Sequence, residues 1–70
     1  MTQYTYIVQV YPVELGAPNL HKVKFEQEFT TQFGAETFAR NFNVEEEMFE
    51  GTDRAVYIGK VDVETGELTA

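Results

Sequence analysis

The sequence predicts an α+β domain, a small antiparallel sheet with helices on one face, and three observations carry that expectation. Residues 4 to 13 and 54 to 63 are rich in β-branched and aromatic types that nearly alternate, the pattern of strands. Between them, Ala35, Phe38, Ala39 and Phe42 recur at i, i+3, i+4 and i+7, the apolar stripe of a helix laid on a sheet. Gly16 and Pro18 fall after the first strand segment, and neither Gly nor Pro interrupts the stripe from Ala35 to Phe42.

The first strand is expected over residues 4 to 13, "YTYIVQVYPV". Tyr4, Tyr6, Val8 and Val10 face one way and Thr5, Ile7, Gln9 and Tyr11 the other, so both faces carry apolar groups and the strand is central. Pro12 cannot donate to a ladder and places the strand's end near it. "LGAPNL" then supplies Gly16, Pro18 and Asn19 for a turn. A second strand follows from His21 to Thr30, with Val23, Phe25 and Phe29 on one side and Lys22, Lys24, Glu26 and Glu28 on a wet side.

From Gln32 the period is helical, with Thr30, Thr31 or Gly34 as cap and "NFN" at 41 to 43 as the end. Asn43 followed three residues later by Glu46 resembles a capping box, which predicts a second short helix closed by Gly51. A third strand covers Arg54 to Val63, with Gly59 marking a bulge or a close contact. Glu64 to Glu67 form a turn with Gly66 left-handed, and Leu68 begins a short fourth strand. A right-handed crossover places the third strand beside the first. The expected layout is ββααββ in strand order 2-1-3-4, within one domain, 1-70, because two cores would leave each half too small to offset chain entropy.

Composition excludes several function classes. Ten aromatics among 70 residues supply the buried area a small domain without staples requires, and the absence of Cys removes disulfides and thiolate metal sites. Twelve acids against five bases give −7, and residues 43 to 70 hold eight acids against Arg54 and Lys60, which is −6 of that total. Direct binding of nucleic acid or of an anionic membrane needs clustered bases. No apolar run reaches membrane length and the amino terminus lacks a basic signal flank, so the expected compartment is the cytoplasm.

Catalytic groups are sparse. Without Ser or Cys no nucleophile with a His partner can be built, and Thr2 would serve only as a free amino terminus after Met removal. His21 is the only imidazole and sits at the entrance of a hairpin strand beside two lysines. Gly-rich phosphate loops are missing. Glu45, Glu46 and Glu47 project about 100° apart on a helix and cannot converge on one cation. Asp62 and Glu64 lack the spaced oxygens of a calcium loop. The expectation is no enzyme, no metal and no cofactor.

The stretch "NVEEEMFEG", residues 43 to 51, holds four carboxylates and no base. In one reading Val44, Met48 and Phe49 pin the short helix to the sheet, while the glutamates stay wet and complement a helix N-terminus. In the other, Glu45, Glu46, Glu47, Glu50 and Asp53 form a negative field that steers onto a basic surface. One helix covers one sheet face, so Ile7 and Tyr11, or alternatively the Tyr4 and Tyr6 row, are expected on the open side or in an interface, and Tyr11 beside acid is a candidate anchor for a partner.

"NVEEEMFEGTD", residues 43 to 53, together with the acidic tail "VDVETGE", which contains Asp62 and Glu64, resembles the acidic segments of small phage-encoded accessory proteins, including nucleic-acid-mimicking inhibitors such as anti-CRISPR proteins. The resemblance covers less than a third of the chain and departs at Lys22 and Lys24, where the hairpin carries mixed charge. It implies a protein acting in the host cytoplasm, whose carboxylates occupy a basic nucleic-acid channel on a host complex. The partner-binding residues expected are Glu45, Glu46, Glu47, Phe49, Glu50, Asp53, Tyr11, Asp62 and Glu64 on a monomer or homodimer. The alternative is a structural subunit that assembles through its sheet face or edge.

Overall fold

In a computed structural model that describes residues 3 to 69, the chain is α+β, with one helix packed on a curled antiparallel sheet. The strands are β1 (Tyr4–Glu14), β2 (Ala17–Pro18), β3 (Phe25–Phe29), β4 (Asp53–Asp62) and β5 (Leu68–Thr69), and the helix is α1 (Gln32–Met48). β1 is central: β4 pairs along one edge, and on the other β3 pairs over Tyr6 to Val10 and β2 over Val13 and Glu14. β5 pairs with Lys60 and Val61 of β4. The sheet therefore has five strands, on a path β2-β1-β4-β5 with β3 also paired to β1, so the neighbours expected for four strands, β3-β1-β4-β5, are joined by a fifth that the order 2-1-3-4 lacks. The added strand is Ala17–Pro18: the ladder with β4 has its last pair at Pro12, and β1 continues two residues to Glu14 into a hairpin with Leu15 and Gly16 at its tip.

That tip is a two-residue turn with both central residues at positive φ, Leu15 at 55° and Gly16 at 84°. Such a turn suits the right-handed twist of a hairpin and favours Asn-Gly. Leu15 has neither the backbone freedom of Gly nor the local hydrogen bonding of Asn, and it is fully exposed at 107%.

β3 is shorter than the expected His21 to Thr30. Lys24 donates its N–H to the Val10 carbonyl at 2.8 Å although Val10 already pairs with Phe25, so two residues oppose one. This bulge breaks the alternation: the ammonium of Lys24 lies 3.0 Å from the carboxylate of Asp53, and Phe25 stacks edge-on against Phe42 at 6.3 Å. A second bulge in β4 places Tyr57 opposite Val8 and Gly59 opposite Ile7, with Ile58 as the extra residue. Gly59 takes φ 142°, which favours glycine.

Tyr6, Val8 and Val10 turn toward α1, where Val8, Val10, Ala35, Ala39 and Ala55 form the buried cluster, ringed by Phe29, Phe38, Phe42 and Tyr57. Two alanines on the helix allow close approach of its backbone to β1 and β4. On the opposite face Ile7 and Tyr11 are nonetheless buried, at 3% and 5%. Their register neighbours are Glu28 and Gly59 for Ile7 and Arg54 for Tyr11.

Thr31 caps the helix, accepting from the Gly34 N–H at 3.0 Å. The helix does not stop at Asn43, and the expected second helix does not form: α1 runs on to Met48. The physical reason is the Asn43 side chain. Instead of capping a new helix it donates to the Ala55 carbonyl at 2.9 Å and accepts from the Ala55 N–H at 2.8 Å. Those backbone groups belong to the edge of β4 that β5 leaves uncovered, so Asn43 closes the edge in place of a strand.

Candidate protein interface

Five of the expected site residues, Glu45, Glu46, Glu47, Phe49 and Glu50, gather at the C-terminal end of α1. Glu45 and Glu47 are exposed and lie about 200° apart around the helix axis, while Glu46 points toward the sheet side and is half-buried. The Glu46 carboxylate rests against the Cα of Gly51. The helix ends at Phe49 with Glu50 at φ 55°, the Gly51 N–H donating to the Glu46 carbonyl at 2.6 Å and the Glu50 N–H to the Glu47 carbonyl at 3.5 Å. This is a Schellman closure. It puts a glutamate in the left-handed position where glycine is usual, one residue before the glycine expected to end the segment.

The continuous helix reverses the electrostatic reading of these acids. Had a second helix begun at Asn43, the carboxylates would have met the positive end of a dipole. They instead sit at the negative end, and the last turn contains no basic residue. Each charge there costs about 0.3–1 kcal/mol rather than contributing it. Among the described residues the ion pairs are Lys22 with Glu14 at 3.3 Å and Lys24 with Asp53 at 3.0 Å, and neither touches Glu45, Glu46, Glu47 or Glu50. Lys60 lies over the Tyr4 ring, 4.3 Å from its centre.

The apolar residues of the stretch do not pin anything. Val44, Met48 and Phe49 are 48%, 70% and 79% exposed. The helix end thus presents two large apolar side chains encircled by carboxylates. Beside it opens a cleft of about 230 Å³ whose walls include Glu46, Glu47, Asp53 and Arg54.

No protein-family model, curated protein or solved structure matches this chain.

Of the remaining expected residues, Asp53 shares the cleft with Glu46 and Glu47, and the others do not join the patch. Asp53 is half-buried and paired with Lys24. Asp62 and Glu64 lie at the far end of β4, about 30 Å along the strand from Asp53. There Asp62 accepts from the Glu64 and Thr65 N–H groups at 2.8 and 3.3 Å, holding a turn with Gly66 at φ 74°. The anionic surface is therefore not continuous over residues 43 to 64. Tyr11, expected as an exposed anchor, is buried and donates its hydroxyl to Gln9, whose amide donates to Glu26 at 2.9 Å. His21 is exposed, and Thr2 lies outside the described residues.

Sequence reasoning missed the structural role of Asn43 and the exposure of Phe33, Met48 and Phe49. A signal was present: Ala35, Ala39, Phe42, Glu46 and Phe49 continue one helical stripe straight through residue 43.

Proposed function

We propose that the protein is a non-enzymatic binding module that uses the acidic end of α1 to occupy a basic surface of another protein, of the kind that holds nucleic acid. The observation that carries the reading is the placement of Glu45, Glu46, Glu47 and Glu50, none of them in an ion pair among the described residues, at the negative end of the helix dipole beside exposed Met48 and Phe49. Stability alone selects against that arrangement. A basic partner reverses its sign, because the same carboxylates then steer association and fix register. Met48 and Phe49 supply the desolvated centre that such a contact needs, with acids as the rim.

The test is capture from host lysate by immobilised wild-type protein and by a variant with all four glutamates changed to Gln. A protein retained by the wild type, eluted by raised salt and absent from the variant supports the reading. Equal retention by both forms removes it.

A further inference from the structure

We infer that the outer face of α1 is a docking surface for a basic amphipathic helix of the partner. This rests on the reading above and extends it along the whole helix. Phe33, Val44 and Met48 are 78%, 48% and 70% exposed. At 100° per residue they fall within a sector roughly 60° wide, opposite Ala35 and Ala39, which face the sheet. The fold makes no use of that sector, because its buried cluster is complete on the other side of the helix.

Charge identifies the occupant. Glu36 and Glu47 border one side of the apolar sector and Glu45 the other, with Arg40 as the single base among them. A second copy of this chain would bring the same carboxylates against their own kind, and an anionic lipid surface would be repelled by them as well. A helix with an apolar stripe flanked by Lys or Arg satisfies both the stripe and its borders. Phe33 and Met48 are separated by about 22 Å along the axis, which calls for a partner helix of at least four turns. Its apolar residues would meet Phe33 at one end and Val44 with Met48 at the other. Polar residues would lie over Thr37 and Asn41 between them.

The probe is a Leu/Lys/Gln peptide of about five helical turns whose leucines lie on one face in its first and last turns, with Gln on that face between them, set against a scrambled peptide of the same composition. Each is titrated into isotope-labelled protein and followed by amide and methyl shifts. The amphipathic peptide is expected to saturate, with shifts at Phe33, Val44 and Met48. Phe33→Ser and Met48→Ser, both at exposed positions, are each expected to weaken it about 10-fold at unchanged melting temperature. Equal binding of the scrambled peptide overturns the inference, as does concentration-dependent self-association through this face, which would make the occupant a second copy. The two readings separate at Phe33, which lies far from the acidic end. If Phe33→Ser changes nothing while the Glu→Gln variant still flattens the salt dependence, the helix-face inference falls and the acidic-end reading stands.

Discussion

Replacing Asn43 tests the feature on which the whole helix depends. The side chain makes two hydrogen bonds to Ala55, at 2.9 and 2.8 Å, and Ala55 is only 3% exposed. Asn43→Ala leaves one buried N–H and one buried C=O without partners, at about 1–3 kcal/mol each. Both bonds are part-buried, so the lower part of the range applies and the expected loss is about 2–4 kcal/mol. A domain of this size has roughly 4–10 kcal/mol in total. The corresponding fall in melting temperature is roughly 10–30 °C. Urea unfolding followed by circular dichroism gives the free energy directly, with an unchanged slope showing that the folded state is otherwise intact.

Asn43→Asp sharpens the test. At a helix N-cap Asp serves as well as Asn, so a second helix starting at residue 43 predicts no loss. Opposite the Ala55 carbonyl, by contrast, a carboxylate removes the donor and faces one acceptor with another. Its folded pKa is then raised above the ordinary value of about 3.9, because only the protonated acid can donate. The sign follows: the variant is least destabilised below that value and loses stability as pH rises through the raised folded pKa. An Asn43→Ala cost below about 0.5 kcal/mol, or an Asp variant as stable as wild type at neutral pH, refutes the edge-capping account.

Glu47→Lys is expected to raise stability by about 0.3–1 kcal/mol in urea unfolding, since it puts a cation at the negative end of α1, while weakening capture of a basic partner. Glu50→Gly, at φ 55°, and Leu15→Asn, at φ 55°, are each expected to gain up to about 1 kcal/mol by the same assay, whereas Glu50→Ala gains nothing from backbone relief. The Glu14 carboxyl is held below its ordinary pKa by hydrogen bonds from Asn19 and Lys22 and by the charge of Lys22. Asn19→Ala should therefore move the Glu14 pKa upward in a carboxyl NMR titration. The stabilisation Glu14 provides is present above its unfolded pKa and is lost as pH falls through the lowered folded value.

The fold class was legible because two periodicities are written into the chain without conflict: near alternation over residues 4 to 13 and a 3.6-residue stripe from Ala35 to Phe42. Turn chemistry was legible where glycine occupies the strained position, as at Gly59 and Gly66, and illegible where it does not, as at Leu15 and Glu50. The second helix was a misreading of Asn43, because the residue that caps a helix in sequence can satisfy a strand edge in space, and only the tertiary neighbour Ala55 decides which. That one error carried others with it. It assigned the carboxylates to the favourable end of a dipole and buried Val44, Met48 and Phe49 against a sheet they do not touch in the buried cluster. The acidic concentration itself was plain in the sequence, but its division into a helix end and a distant turn depends on the length of β4.

The distribution of apolar side chains argues for an interaction more strongly than the charge does. Ile7, Val8, Val10, Tyr11, Ala35, Ala39 and Ala55 make up the buried core, and three of these seven are alanines. Against them, ten large hydrophobic residues are exposed among the described residues, including Leu15, Leu20, Phe33, Met48 and Phe49. A monomer selected only for stability would turn some of that area inward, where each fully buried side chain contributes about 1.5–3 kcal/mol. The acidic surface answers the solubility problem this creates, since like charges keep copies apart while the apolar residues stay available. Charge and apolar exposure are thus two parts of one arrangement. Neutralising the glutamates is expected to leave the fold intact and to cause self-association at high concentration, measured by light scattering. A Glu→Gln variant that stays monomeric at every concentration would separate the two features and remove the link between them.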